Sequence, residues 1–258
     1  MEPVNPNRLR WGALAWLLTL QFFVVETIAQ SRFAGPYTRA DDTISALGTG
    51  RSAAHQLMNA SFVLQAGLIL AGTLLLRPVL LRAAGQVAPV LLTVSAAGVL
   101  LVGVFPSDGN ALVHAVGAVL HLVGGGLGLV ALAYAIRPRS EIVGTALAAL
   151  GLVGTAATVF FLTGVTQFLG VGGTERVAAY VIPVGLALAG TALWRLAGPG
   201  SGERLAERQA AREEQAERAR DRDAALEAAA RRETGRTTGT ADDDELDDHW
   251  APVQRRRD

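Results

Sequence analysis

Long apolar segments without a charged residue alternate with short charged segments over residues 1–197 of this chain. Four uncharged segments cover residues 52–76, 83–107, 109–136 and 142–174, and two shorter apolar segments cover residues 11–25 and 177–194. A helix needs about 20 predominantly apolar residues to cross a bilayer. The four long segments meet this length, and flanking residues complete the two shorter ones. The pattern therefore predicts an all-α fold, a polytopic transmembrane bundle of six helices.

The predicted spans are residues 9–29, 54–76, 86–105, 111–136, 142–165 and 175–197. The first span has a rival interpretation as a signal peptide, because Arg8 and Arg10 precede it and Thr27-Ile28-Ala29 resembles a cleavage site. Glu26 and the bulky Phe22-Phe23 pair disfavour cleavage, and five further hydrophobic segments follow. We therefore predict that the first helix is retained.

The arginines between the spans predict the orientation of the bundle. One side receives Arg8, Arg10, Arg77, Arg82, Arg137, Arg139 and Arg195, and the other receives Arg32, Arg39, Arg51 and Arg176. Short loops that are rich in arginine or lysine stay in the cytoplasm. We therefore expect a multi-pass protein of the cell membrane, surrounded by membrane lipids, with both termini in the cytoplasm.

Charge divides the chain into a six-helix transmembrane domain, residues 1–197, and a cytoplasmic tail, residues 198–258. Residues 203–233 are rich in Ala, Glu and Arg, and Glu214/Arg218 and Glu227/Arg231 are spaced for i,i+4 ion pairs, so this segment predicts a solvated charged helix. Residues 234–258 have little apolar surface to bury and predict a disordered end. Any cytoplasmic partner of the tail is unknown.

Composition excludes several classes of site. The chain has no cysteine, which excludes disulfides, thiolate zinc sites and cysteine nucleophiles. In the tail the acidic residues outnumber the arginines, so nucleic-acid binding is not expected. Nucleotide-binding loops and serine-hydrolase motifs are also missing from the sequence.

Polar and ionisable residues gather at the ends of the spans that the topology places on the outer side. They are Asp42, His55, Asn59, Asp108, His114, Glu175 and Arg176. Because unpaired charges against lipid are costly, we predict that they form one outward-facing polar cluster, closed partly by the first outer loop. Arg176 should contact Asp108 or Glu175, the nearest acids by depth. A structural cluster and a ligand site are both compatible with this pattern.

Two features lie deeper in the predicted bundle. His121 falls near mid-bilayer, where an ionisable group usually faces the bundle interior, and we favour a hydrogen bond to a neighbouring helix over a proton or metal role. Gly124 with Gly128, and Gly185 with Ala189, are spaced to let helix backbones approach closely. We interpret these glycines as packing positions rather than hinges.

Several short motifs form a pattern with a known counterpart. They are the segment 37–48 (YTRADDTISALG), the segment 103–108 (GVFPSD) followed by His114, Asn59 in the second span, and the segment 173–176 (GTER) before the sixth. Over roughly residues 10–197 they resemble the domain of unknown function 998 family, a bacterial and archaeal set of multi-helix membrane proteins. Members often show an Ile-Ser-Asp-Leu-Gly-like string, whereas Ala46 stands here in place of the acid. Any role of that acid is therefore absent or shifted to Asp41 or Asp42. The resemblance implies a membrane fold and no particular activity.

Three function classes follow from these observations. The first is an integral membrane protein with a structural, sensing or assembly role, in which the outer cluster is structural and the tail contacts partners. The second is a proton-coupled transporter with Glu26, His114 and His121 along a path. The third is a membrane-embedded metal-dependent hydrolase acting on lipid, with His55, His114 and Asp108 or Asp42 as ligands. The sequence identifies no catalytic residue and no cofactor.

Overall fold

The computed structural model describes residues 5–80, 83–197 and 201–239 of the chain. The helices in this part are α1 (Pro6–Leu18), α2 (Gln21–Ser31), α3 (His55–Leu76), α4 (Ala84–Val104), α5 (Ala111–Ile136), α6 (Glu141–Thr163), α7 (Gly170–Ala197) and α8 (Ser201–Gly239). The chain divides into a first unit that ends at Gly202 and a second unit that begins at Glu203.

Six helical segments among the described residues are long and apolar enough to cross a membrane. The first, Pro6–Ser31, combines α1 and α2, and helices α3 to α7 carry the other five. This confirms the predicted all-α class with six membrane spans. The helix ends lie within a few residues of their predicted positions, and the largest difference is at α7, which begins at Gly170 instead of residue 175.

Local sequence explains where the helices begin and end. The side chains of Asn110 and Ser140 cap the starts of α5 and α6, because their oxygens accept hydrogen bonds from the backbone N–H groups of Val113 and Val143. Gly164 ends α6 in the left-handed conformation, with φ of 74°, which a residue without a Cβ adopts at little cost. These caps fix the short connections that turn the chain back into the bundle.

The first span is broken between α1 and α2. Thr19 lies at the break and is fully buried, and its hydroxyl is 2.5 Å from the Trp16 carbonyl oxygen and 3.3 Å from the Pro183 carbonyl oxygen of α7. The hydroxyl thus supplies a polar contact between the first span and α7 at a point where the α1 helix is interrupted. Pro183 itself has no backbone N–H, so α7 lacks one helical hydrogen bond beside this contact.

The helices of the first unit form a closed ring. Each of α3, α4, α5, α6 and α7 packs against the next in sequence, α1 packs against both α3 and α7, and α5 also contacts α7. The connections α2–α3, α4–α5 and α6–α7 share one end of the bundle, which we call the loop end. The connections α3–α4 and α5–α6 share the opposite end with the start of α1.

Glycines set the closest helix contacts. A Cβ at Gly98 of α4 or at Gly117 of α5 would clash with the backbone of the facing helix, and a Cβ at Gly124 would lie 2.9 Å from the Leu91 carbonyl oxygen. Gly72 of α3 likewise leaves room for the Trp16 ring. The structure therefore agrees with the interpretation of Gly124 as a packing position.

The second unit is described by one helix, α8. Both i,i+4 pairs predicted from the sequence form, Arg218 with Glu214 and Arg231 with Glu227. The helix continues to Gly239, beyond the predicted end at residue 233. Residues 198–200 at the predicted domain boundary, residues 240–258 of the predicted disordered end, and Arg82 all lie outside the described residues.

Cysteine labelling tests the predicted orientation. Single cysteines at Gly109 and Phe168, which are exposed at the loop end, should react with a membrane-impermeant thiol reagent in intact cells. Cysteines at Ala83 and Pro138, exposed at the opposite end, should react only after the membrane is permeabilised. The chain has no native cysteine, so the wild-type protein is the unlabelled control. The reverse labelling pattern would invert the orientation.

Candidate functional site

A structured segment between α2 and α3, residues 33–54, covers the loop end of the bundle, and we call it the cap loop. Its two ends are joined by an antiparallel bridge between Phe33 and Ser52, flanked by hydrogen bonds from Ala34 N–H to the Arg51 carbonyl (2.8 Å) and from Ala53 N–H to the Arg32 carbonyl (2.9 Å). The closed stem holds the middle of the cap loop against the bundle.

Arg176 fastens the first half of the cap loop to α7. One guanidinium nitrogen, Nη1, donates to the carbonyl oxygens of Arg39 (2.8 Å) and Asp42 (2.7 Å) in the loop and to that of Gly172 (3.0 Å) in its own helix. The other, Nη2, donates to the Tyr37 hydroxyl. Arg176 is 5% exposed, so these bonds satisfy a buried cation with loop backbone.

Glu26 of α2 supplies the countercharge. Its carboxylate is 1% exposed and accepts from Arg176 Nε (3.0 Å), Gln30 Nε2 (2.8 Å) and the Tyr180 hydroxyl (2.6 Å). Gln30 in turn accepts from Arg39 Nε of the cap loop (2.9 Å). The ion pair is thus embedded in a network in which each carboxylate oxygen has a donor.

Tyr37 completes this network from the cap loop. Burial raises the pKa of its phenol above the ordinary value, although the positive charge of Arg176 acts in the opposite direction. The phenol therefore stays protonated near neutral pH. It accepts from Arg176 and is placed to donate to the Thr43 carbonyl oxygen at 3.4 Å.

Two glycines at the start of α7 let the cap loop approach this closely. A Cβ at Gly170 would clash with the carbonyl group of Ala40, and a Cβ at Gly172 would clash with that of Asp42. Gly170 also has φ of 74°, which favours glycine. Gly173 N–H donates to the Ala40 carbonyl at 3.1 Å, so the first turn of α7 binds loop backbone.

The second half of the cap loop is held by a different set of contacts, centred on Ser45. The Ser45 hydroxyl oxygen lies 3.0 Å from Glu175 Oε1 and 3.0 Å from His114 Nε2. The other oxygen of Glu175 accepts from Ile44 N–H, and the other ring nitrogen of His114 lies 2.9 Å from the Phe105 carbonyl oxygen. Ser45 therefore bridges α5 and α7 through the loop.

A cavity of about 50 Å³ begins beside this bridge, inside the bundle. Most of its lining is apolar, and its polar lining side chains are Ser45, Glu175, Gln65 and His121. A few water molecules fit in this volume, since one water needs roughly 10–15 Å³. His121 lies on the α5 side and its Nδ1 is 2.9 Å from the Ser95 hydroxyl of α4, which is the interhelical hydrogen bond that the sequence favoured.

All seven residues predicted for the outer cluster lie at the loop end, and each makes a hydrogen bond with or within the cap loop. Asn59 donates to the Gly48 carbonyl (2.9 Å), Asp108 accepts from Gly50 N–H (3.0 Å), and His55 Nδ1 lies 2.9 Å from the Ser52 carbonyl. Asp42 accepts from Thr38 N–H at 2.9 Å through its side chain. The contacts of His114, Glu175 and Arg176 are those described above.

One predicted pairing is wrong. The sequence placed Arg176 against Asp108 or Glu175, but its partner is Glu26, at 3.0 Å. Asp108 is exposed and bonds loop backbone, and Glu175 faces Ile44 and Ser45. Depth in the membrane was a poor guide here, because consecutive residues on α7 point about 100° apart, so Arg176 reaches Glu26 of α2 while Glu175 faces the cap loop.

The predicted seven-residue cluster did not include five members of the site. One is Glu26, which was proposed as part of a transport path. The others are Gln30, Tyr37, Ser45 and Tyr180. Spacing carried a signal for two of them, because Gln30 follows Glu26 and Tyr180 follows Arg176 by one helical turn, which puts each pair on one helix face. Tyr37 and Ser45 lie in irregular structure, where spacing gives no such signal.

The hypothesis of a metal centre gains no geometric support. Among residues 5–80, 83–197 and 201–239, no group of three or more His, Asp or Glu side chains is arranged to hold a metal ion. The three candidate ligands bond different groups instead: His55 contacts Ser52, Asp108 contacts Gly50, and His114 contacts Ser45 and Phe105.

The six apolar helices define the chain as a multi-pass integral membrane protein. The family described as "Protein of unknown function (DUF998)" matches residues 17–192, a range that includes the whole cap loop and residues of all six spans. The chain belongs to this family, as its motifs suggested. Curated proteins and solved structures give no significant match.

The buried ion pair makes a prediction about stability. Glu26→Gln should destabilise the folded protein in detergent by about 3–5 kcal/mol, because it leaves the Arg176 cation buried without a countercharge. A thermal melt monitored by helical circular dichroism measures the loss. Glu141→Gln is the matched control, since the Arg137–Glu141 pair is exposed and removing it should cost less than about 1 kcal/mol.

A double variant separates the ion pair from simple packing. Glu26→Gln with Arg176→Met removes both charges, and it should recover part of the stability lost in Glu26→Gln because no unpaired charge remains. If the two substitutions instead lower stability additively, the pair makes no coupled contribution and the assigned role of Glu26 is wrong.

Proposed function

We propose that this protein is a membrane sensor in which a proton shared by His114, Ser45 and Glu175 controls how tightly the cap loop is held on the bundle. The observation that supports the proposal most directly is the position of the Ser45 hydroxyl, 3.0 Å from both an imidazole nitrogen and a carboxylate oxygen. Sensing is one of the roles compatible with the sequence, and this contact gives it a mechanism.

Counting hydrogens shows why a proton matters here. A carbonyl oxygen only accepts, so the contact with Phe105 requires a hydrogen on His114 Nδ1. A neutral His114 then has none on Nε2, and an ionised Glu175 has none on Oε1. The Ser45 hydroxyl has a single hydrogen, which serves one of its two contacts. One additional proton, on His114 Nε2 or on Glu175 Oε1, completes both hydrogen bonds.

The same proton links three elements of the fold. His114 belongs to α5, Glu175 to α7, and Ser45 begins a short 3-10 turn, Ser45–Gly48, in the cap loop. Ile44 and Leu47, on either side of Ser45, are 3% and 0% exposed and pack into the core. Loss of the proton removes one of the bonds that hold this turn, so the apolar anchors beside it become easier to release.

The charged neighbours of the bridge are already engaged elsewhere. On α7, Arg176 pairs with Glu26 of α2 and binds loop carbonyls. On the loop side, Asp42 bonds Thr38 N–H, and Asp108 bonds Gly50 N–H. His55 of α3 and His121 of α5 contact Ser52 and Ser95, and Tyr37 and Tyr180 bond the ion pair. These neighbouring groups therefore do not supply or accept the hydrogens of the Ser45 bridge.

Hydrogen exchange tests the proposal. In detergent-purified protein, exchange at residues 44–48 should rise with pH beyond its intrinsic pH dependence, because deprotonation removes a Ser45 bond. A hydrogen bond to an ionised or ionisable group contributes about 1.5–3 kcal/mol, so protection should fall by at least roughly tenfold. Ser45→Ala should show the low protection at every pH.

Glu175→Gln is the sharpest variant of this test. The amide oxygen accepts from Ile44 N–H, and the amide nitrogen donates to the Ser45 hydroxyl, which is then free to donate to neutral His114. The variant mimics the protonated carboxyl, so exchange at residues 44–48 should stay low and lose its pH response. Glu141→Gln, at an exposed site on α6, should keep the wild-type response. A full pH response in Glu175→Gln would overturn the proposal.

A proton-coupled transporter is the second candidate, and the cavity beside Ser45 favours it. The cavity joins Glu175 at the loop end to His121 and Gln65 further inside, so a proton delivered to the bridge has polar neighbours toward the bundle interior. Protein in liposomes containing a pH-sensitive dye discriminates the two functions. A transporter collapses an imposed pH gradient and Glu175→Gln abolishes the flux, whereas a sensor leaves the gradient intact.

A further inference from the structure

A groove runs between α1 and α7 near the opposite end of the bundle. Its volume is about 660 Å³, and its lining includes Asn7, Arg10, Trp11, Leu14 and Leu17 of α1 and Trp194 and Arg195 of α7. The groove lies at the far end of both helices from the Glu26–Arg176 pair. None of its residues takes part in the cap-loop network.

The lining changes character along the helices. On α1, Asn7, Arg10, Leu14 and Leu17 follow one another at spacings of three and four, so they share one face. Arg10 lies within the first turns of α1, and Arg195 lies in the last turn of α7. Leu14 and Leu17 lie deeper and are 39% and 44% exposed. The groove is therefore cationic at its mouth and apolar toward the middle of the span.

Two tryptophans mark the boundary between these zones. Trp11 and Trp194 stand next to Arg10 and Arg195 in sequence, and their side chains are 63% and 47% exposed. Tryptophan is enriched where a membrane helix meets the head-group region, because its ring is apolar and its N–H is polar. The mouth of the groove thus sits at the depth of lipid head groups.

We infer that this groove binds an anionic phospholipid, with the phosphate at Arg10 and Arg195 and an acyl chain along Leu14 and Leu17. The described lining contains two arginines and no acidic residue, so its charge complements a phosphate. A basic recess between transmembrane helices, at head-group depth, is a site of the kind that recognises anionic head groups. The lining order of cation, aromatic ring and aliphatic side chain matches the order of groups along a phospholipid.

Native mass spectrometry of the full chain in detergent tests the inference, with phosphatidylglycerol and phosphatidylcholine as probes. Wild-type protein should retain phosphatidylglycerol in preference to phosphatidylcholine. Arg10→Gln with Arg195→Gln should weaken phosphatidylglycerol binding roughly thirtyfold, the product of two arginine–head-group contacts of ordinary strength. Arg10→Lys with Arg195→Lys keeps both charges and should retain most of the affinity.

The matched control is Arg77→Gln with Arg137→Gln. It removes the same number of exposed charges from the same end of the bundle, away from the groove, and should leave phosphatidylglycerol binding within about twofold of wild type. Circular dichroism of each variant verifies that the helices remain folded.

Three results would overturn the inference. The first is equal retention of the two lipids by wild-type protein. The second is an equal loss of phosphatidylglycerol binding in the groove variant and the control variant. The third is a protein dimer that retains no lipid and that dissociates in the Arg10→Gln/Arg195→Gln variant. The last result would place a second copy of the chain in the groove. None of these outcomes bears on the Ser45 bridge, so the sensor proposal is tested separately.

Discussion

The buried guanidinium of Arg176 is the constraint on which the loop end depends. A cation 5% exposed inside a membrane protein is tolerated only where countercharge and acceptors surround it. Glu26 supplies the charge, and the carbonyl groups of Arg39 and Asp42 supply acceptors. Because these carbonyls belong to the cap loop, the loop cannot leave the bundle without removing two acceptors from the buried arginine. Gly170 and Gly172 make the arrangement possible by letting the loop backbone reach α7.

Consecutive residues of α7 hold the two halves of the cap loop in different ways. Arg176 holds residues 37–42 through its guanidinium, which donates to the carbonyl oxygens of Arg39 and Asp42 and to the Tyr37 hydroxyl. Glu175 holds residues 44–48 through the Ser45 hydroxyl. That hydroxyl contacts both Glu175 and His114 but has only one hydrogen to donate. In the proposed sensor, the attachment through Arg176 stays in place and the attachment through Ser45 depends on a proton. On this proposal, residues 44–48 are released while residues 37–42 remain attached to α7.

Hydropathy alone predicted the six spans, because each needs only length and apolar composition. Topology alone predicted which polar residues share the loop end. The partners of Arg176 and His114 were beyond such arguments, since they depend on how each helix is rotated about its axis. Glu26 lies opposite Arg176 because α2 turns that face toward α7 after the break at Thr19. Ser45 lies in irregular backbone, where no periodicity relates sequence to direction.

The first span and α7 together carry arginines at both ends of the bundle, and these arginines are buried at one end and open to the surroundings at the other. At the loop end, Arg176 of α7 is buried and paired with Glu26 of the first span. At the opposite end, Arg195 of α7 and Arg10 of the first span line a groove that is open to the surroundings. Between these levels the Thr19 hydroxyl lies 3.3 Å from the Pro183 carbonyl oxygen, at the break in the first span and at the proline inside α7. Any energetic coupling between lipid and cap loop requires a packing change that both sites sense. The Thr19–Pro183 contact joins the two spans between the two sites, so a packing change that links the sites would involve it.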